Sequence, residues 1–537
     1  MWSVRKLAVS LLCFSAPVGM LSAQNAPPLM PGRVVLVLPF ENHSGNPSLG
    51  WIGDSFPDTL DARLNSVHFL TLSQDDRHYA YEHLGLPDGF RPSRATTIRI
   101  AQQLDADYVI VGSYTVATGQ AVNGATKPED RISIQAQVLD VRHFRLSPPV
   151  EDGAPLPRLY DAENAVAWKV ARVLDPHLAV AEQTFLSASG AIPLPAFENY
   201  VRGSNATTSA EKLRRLTEAV NEASNYSEAL LALGKEQYAT QDYEAASKTL
   251  ARVPLSDRLA LEANFYLGLS NFNSANYAAA AKAFAYVALQ LPLPEALNDQ
   301  GVAEARQGQD AVALFRRASQ SDPNDEDYHY NLAIALFRAG SLPEAAQEAD
   351  AALALKPHDA EAQELRARLK LALPGQKLVD SPTGFSPVER VVRTWSETTF
   401  RQAAFQLDQI RAMRLETLPV AERVSAFVAQ GREYLSRGLT PEAEEEFAEA
   451  LQSDPNSAEA HAGMAEVRER SGALAEARSE AQLSNRLKSN ANAWLVLARL
   501  DLAKHLTAAA QDDLTAALRL EPQNAAALAL QQKAREQ

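Results

Sequence analysis

Across 537 residues there is one cysteine, Cys13, and it lies in the first apolar stretch. A mature chain lacking that stretch has no disulfide, thiolate metal site or cysteine nucleophile, so packing must supply its stability. Basic charge is scarce too. The formal net charge is −15, and Lys and Arg are nowhere concentrated enough to track phosphates, which argues against a nucleic-acid partner. Beyond about the first 25 residues no apolar run is long enough to span a bilayer. The 10 histidines are scattered and form no His-Glu-x-x-His zinc pattern. His78 and His83 fall on different faces of a helix. Neither a phosphate-cradling glycine loop nor a Gly-x-Ser-x-Gly elbow occurs. The acid run at 442–450 reads as the solvated outer face of a helix. No catalytic residue, cofactor or metal is expected, and the reading is of a protein without enzymatic activity.

What is present begins with a leader. Arg5 and Lys6 precede an apolar core that Pro17 interrupts, and Leu21-Ser22-Ala23 offers a small residue before Gln24. Residues 1–23 therefore read as a secretory signal cleaved after Ala23, and 24–32 as a proline-rich leader. The expected destination is outside the cytoplasm, periplasmic or associated with an outer membrane.

The C-terminal two-thirds carries a repeat of about 34 residues. Leu332, Ala333, Gly340, Ala345, Ala352 and Pro357 show it most clearly. The same offsets return as Gly431, Tyr434, Gly438, Ala443, Phe447, Ala450 and Pro455, and again as Trp494, Leu497, Ala498, Ala510, Leu514, Ala517 and Pro522. Small residues let helices approach closely where they cross. Gly340 can take the positive φ that ends a first helix, and Pro357 stops a second. These units resemble the tetratricopeptide repeat. The resemblance implies stacked helical hairpins that bind protein or peptide partners on a concave face lined by the first helix of each pair. Carried onto this chain, the partner-facing positions are Glu228, Leu231, Lys235 and Tyr238, then Glu262, Phe265, Leu269, Phe272 and Asn273, then Asp327, Tyr330, Ile334, Phe337 and Arg338. Tyr238, Phe272 and Phe337 could equally pack between hairpins. The family's carboxylate clamp is matched only at isolated positions, so a chaperone-tail receptor is not implied.

Before the repeats, 33–40 reads as a buried strand, 51–66 as a helix, 68–73 as a second strand and Thr97–Leu104 as helical. Residues 105–117 and 131–141 follow as two more strands joined by a long polar loop. The chain from Pro155 reads as helical. Pro39-Phe40, Asn42-His43-Ser44-Gly45, Trp51-Ile52-Gly53-Asp54, Ala106-Asp107-Tyr108 and Gly112-Ser113 stand in an order that resembles the TolB-like N-terminal domain of bacterial envelope proteins, over about residues 33–145. That resemblance implies an envelope protein whose first domain contacts other proteins, with peripheral association to an envelope complex. Asn42, Ser44 and Asp54 then mark a binding loop above the sheet, or else a turn and a helix start.

The expected organisation is an α/β N-terminal domain (a small mixed sheet with helices) at 33–185, followed by an all-α solenoid. A first array spans 186–373 and a second 423–537. Between them, 374–422 reads as a hinge and a divergent helical segment starting at Pro387. That segment either continues the superhelix as a degenerate repeat or separates two arrays.

Overall fold

The computed structural model describes residues 34–87, 90–118, 129–378, 386–395 and 410–536. The leader at 1–23, the stretch 24–32 and most of the polar loop between the two long strands lie outside them. The first domain is built on a mixed sheet. Its strands are β1 (Val34–Val37), β2 (Glu41–Asn42), β3 (Leu70–Thr71), β4 (Tyr108–Ala117), β5 (Arg131–Asp140), β6 (Arg145–Leu146) and β7 (Val150–Pro155). The order is β3-β1-β4-β5-β6, with β2 on β4 and β7 on β5. β1 pairs in parallel with β3 and β4, whereas β4 and β5 form a long antiparallel ladder from Tyr108↔Asp140 to Ala117↔Arg131.

β1 is apolar throughout because both of its faces are covered. Val35 and Val37 point to α1 (Trp51–Asn65), and Leu36 packs with Ala80 of α2 (Gln74–Leu84) and Ile100 of α3 (Arg94–Gln103). α4 (Leu159–Leu174) completes the first face through Val166 and Val170. α2, β7 and the two-residue strands β2 and β6 were not anticipated. β7 has the sequence Val-Glu-Asp-Gly-Ala-Pro, poor in strand formers, and forms only because β5 offers it a ladder at the sheet edge.

From here the chain is helical. α5 (Glu182–Ser187) is followed by the hairpins α6/α7 (Leu194–Ser204, Ser209–Glu222), α8/α9 (Ser227–Ala239, Tyr243–Leu250), α10/α11 (Ala260–Asn273, Tyr277–Gln290), α12/α13 (Pro294–Ala305, Val312–Ser321) and α14/α15 (Glu326–Ala339, Leu342–Leu355). The single helix α16 (Ala360–Leu371) closes this array. The small residues act as expected. Ala333 and Ala345 have no exposed surface, and Gly340 ends α14 at φ 88°. A Cβ on Gly268 would lie 2.6 Å from the Phe284 ring, so only glycine lets α10 meet α11. The hydrophobic core does not break where the repeats begin. Phe185, Phe197, Val201, Tyr226 and Leu250 belong to the same cluster as Trp51, Phe56 and Val166.

Residues 387–395 correct the sequence reading: they form neither helix nor strand, and contacts from Asn331 at Arg390 to Phe265 at Trp395 draw them out along the array. Val391, Val392 and Thr394 are β-branched and weak helix formers, and the extended form meets partners described below. The part of that expected helical segment at 396–409 lies outside the described residues; 410–416 are helical, and the second array follows. That array comprises α17/α18 (Val420–Ser436, Thr440–Ser453), α19/α20 (Ala458–Arg470, Leu474–Leu487), α21/α22 (Ala491–Ala503, Thr507–Leu520) and α23 (Ala525–Glu536).

The second array returns to the first domain. The acid run at 442–450 is correspondingly not all solvated. Glu444 is fully buried, pairs with Arg468 at 2.6 Å and accepts the Ala181 backbone N–H at 3.2 Å. Arg468 also donates to the Thr184 hydroxyl at 3.0 Å, and His68 lies 3.3 Å from Glu445. These contacts set α5 against α18 and α19. Arg63, stacked on the Phe185 ring, ties α5 to α1.

Candidate peptide-binding groove

The extended stretch 386–395 lies along the first helices of the first array, held through both its backbone and its side chains. The Asn331 side chain grips one residue from both sides. Its oxygen accepts the Arg390 N–H at 2.8 Å and its amide donates to the Arg390 carbonyl at 2.7 Å. Asn298, one hairpin earlier, donates to the same carbonyl at 2.9 Å and accepts from Asn331 at 2.8 Å. Asp299 accepts the Val392 N–H at 2.9 Å, and burial raises its carboxyl well above the usual range. A backbone in this groove therefore finds an amide and a carboxyl already oriented by neighbours, at little cost in side-chain ordering.

Side-chain sockets sit on either side of this clamp. Arg390 donates to Asp327 at 2.7 Å, to both Asp359 oxygens at 2.7 and 2.9 Å, and to Glu361 at 2.8 Å. Its guanidinium lies 3.9 Å from the centre of the Tyr330 ring. The hydrogen bonds from Arg390 hold the Asp359 carboxyl below the usual carboxylate range. Glu389, buried, pairs with Arg338 and lies 3.6 Å from Arg306. At the far end Trp395 rests on Phe265 with ring centres 5.3 Å apart. The segment thus runs from α14 back towards α10, against the order of the hairpins.

Of the residues inferred to face a partner, Asp327, Tyr330, Arg338 and Phe265 touch this segment directly. The Phe337 carbonyl accepts the Leu378 N–H at 3.1 Å, but its ring is buried, as are Leu269 and Ile334, and all three pack between helices. Phe272 is half-buried against Tyr277, and Asn273 donates to the Leu269 carbonyl. Glu228, Leu231, Lys235, Tyr238 and Glu262 lie elsewhere, in an open cleft of about 600 Å³ where the array meets the first domain. There Lys235 pairs with Glu262 at 2.6 Å and Glu228 with Arg258 at 3.0 Å. Arg393 also lines this cleft, so it prolongs the groove past the extended segment.

The clamp residues Asn298, Asp299 and Asn331 were missed by sequence reasoning. Asn298 and Asp299 belong to α12, whose positions were not carried over. Asn331 follows Tyr330 directly and sits one place off the chosen stripe. Three buried polar side chains inside otherwise apolar first helices were the available signal. In the first domain, the Asn42 oxygen accepts the Ser44 N–H and its amide donates to the Asn46 carbonyl, while the Ser44 hydroxyl accepts the Val116 N–H. These groups serve the turn. Asp54 lies in the first turn of α1. Among the described residues no cluster of three or more His, Cys, Asp or Glu side chains could hold a metal, and no helix is long and apolar enough to cross a membrane.

Family models of the tetratricopeptide repeat match residues 302–369 and 428–491, so both helical arrays contain such repeats. No curated protein matches the sequence. Among solved structures, residues 41 to the end of MamA from Desulfovibrio magneticus RS-1 are 20% identical, with 34% of this chain and 99% of that one covered at a TM-score of 0.28. YrrB, described as a TPR protein with an unusual peptide-binding site, is 16% identical over 39% of this chain and all of its own, at a TM-score of 0.28. The C-terminal domain of LpoB from Escherichia coli is 22% identical over 23% of this chain and 82% of its own, at a TM-score of 0.19.

Proposed function

We infer that this chain is a non-enzymatic interaction scaffold whose first array binds extended segments of protein or peptide partners. One observation carries the reading: Asn298, Asp299 and Asn331 bond the main chain of an extended stretch. Groups that bond main-chain N–H and C=O recognise extended conformation whatever the side chains, and flanking sockets then add selectivity. Panning a random-peptide library on the full chain tests this. Enriched peptides should lose binding to the Asn298→Ala/Asn331→Ala variant. Enrichment that ignores the two asparagines would place recognition elsewhere.

The setting we propose is the bacterial envelope, reached by export. It is supported by the leader at 1–23 and by the TolB-like motifs of 33–145. Recovery from a periplasmic fraction of a chain beginning at Gln24 is the expected result, and a cytosolic chain retaining Met1 would refute export. A second reading, an accessory component docked on an envelope complex through the TolB-like domain, draws on the same motifs. Point variants separate the two better than truncation. A chain starting at Pro193 would lose Trp51 and Val166, against which Phe197 is buried.

A further inference from the structure

The extended stretch 386–395 is itself the best description of what the groove selects. Its two charged sockets have opposite sign and a fixed order. A cationic one (Arg338, Arg306) takes Glu389, and an anionic one (Asp327, Asp359, Glu361) takes the very next residue, Arg390. Neighbouring residues in an extended chain point to opposite sides, so the adjacent pair reaches both sockets without bending the backbone. Reversing the pair would set a carboxylate against three carboxylates and a guanidinium against two guanidiniums. That repulsion fixes register and direction. Val391 and Val392 lie on the apolar wall of the hairpins, and Trp395 on Phe265 sets the length.

Resting on the peptide-binding reading above, we propose that the groove's partner in trans is an extended segment of this same chemistry. It carries a carboxylate followed directly by an arginine, then two aliphatic residues, and a tryptophan after two spacers. Residues 386–395 are its built-in competitor. A tethered ligand acts at an effective concentration of about millimolar for a short linker. The partner must therefore displace the chain's own segment, and its apparent affinity falls by the fraction of time the groove is closed. Arg393 and Thr394, which are exposed, are the spacers and contribute least.

The test uses the full chain and a fluorescein-labelled peptide of sequence Ser-Pro-Val-Glu-Arg-Val-Val-Arg-Thr-Trp, read by fluorescence polarisation. Arg390→Ala/Trp395→Ala in the protein should open the groove and tighten peptide binding at least about tenfold over the unsubstituted chain. A peptide with Glu and Arg exchanged should not bind the opened protein. Equal affinity of the opened and unsubstituted proteins would overturn the competitor. Equal binding of the exchanged peptide would overturn the proposed chemistry while leaving peptide binding in place. If Asn331→Ala in the opened protein leaves binding intact, the site lies elsewhere and both readings fall. The unsubstituted chain gives an independent check: excess peptide should speed hydrogen exchange at the Arg390 and Val392 amides, and unchanged protection counts against the proposal.

Discussion

The two arrays share a repeat and differ in what its inner positions hold. In α14, His329 bridges Glu348 at 2.6 Å and the Pro323 carbonyl at 3.2 Å. In α19, His461 bridges Glu480 at 2.6 Å and the Pro455 carbonyl at 3.1 Å. Lys356 and Lys488 also correspond, and each pairs at 3.0 Å with a glutamate at the start of the preceding first helix, Glu326 and Glu459, which are offset by one place in the alignment. In the same alignment, Tyr330 and Asn331 of the first array correspond to Ala462 and Gly463 of the second. No side chain is possible at Gly463, because a Cβ there would lie 2.2 Å from the Phe447 ring. In the second array's first helices Arg470 pairs with Glu466 and Arg499 with Glu469, while Arg468 and Asp501 pair with Glu444 and Arg478 of second helices. Equivalent scaffolding thus presents a backbone clamp in one array and a self-satisfied surface in the other. The repeat determines shape, and a few inner residues determine whether an array holds the segment 386–395.

This contrast can be broken most forcefully through its scaffold. Phe447→Ala removes the ring that fills the space beside Gly431 and Gly463, and should cost the second array about 3–5 kcal/mol. Denaturant unfolding followed by hydrogen exchange should show early loss of α17 to α20 with the first array unaffected. Simultaneous loss of both would mean the docking through Glu444 and Arg468 couples them into one unit. Gly463→Asn comes next. It installs the clamp residue of the first array but overpacks against Phe447, so a loss of about 1–3 kcal/mol and no peptide binding are expected. A Tm equal to that of the parent would show that Phe447 can move aside.

Asn331→Ala sharpens the comparison from the other side. It deletes both bonds to Arg390 and leaves a backbone N–H and C=O less satisfied, at about 1–3 kcal/mol for the segment. Faster amide exchange confined to 389–392, with the hairpins unchanged, is the expected pattern, and retained protection there would show that the charged sockets suffice.

The smallest effect concerns the shared histidine. The hydrogen bond to Glu348 raises the His329 pKa above its ordinary value. Its stabilisation is therefore fully present below the unfolded value near 6.5 and is lost as pH rises through the higher folded value. His329→Gln should flatten that decline, by less than about 1 kcal/mol. A pH profile of the melting temperature identical to the parent's would remove the imidazole from the argument.

Local chemistry determined much of this protein in advance. The period of the repeat, Gly340 at a helix end, Ala333 and Ala345 at a crossing, and the doubly covered strand β1 follow from residues within one turn or one hairpin. Four residues that meet the segment, Asp327, Tyr330, Arg338 and Phe265, stand among the positions carried over from the repeat resemblance, whereas Asn298, Asp299, Asn331, Arg306, Asp359 and Glu361 do not. The path of 386–395 was not readable, because its sequence is compatible with an amphipathic helix. What holds it extended are side chains 59 and 92 residues away on two different hairpins. β7 is a strand only because β5 has an edge to fill. Glu444 is buried in an acid run because α5, from another part of the chain, covers it and Arg468 neutralises it. Periodicity is a property of neighbours and can be read along the chain. Which surface a segment meets depends on how the arrays stack, and only the tertiary structure decided that.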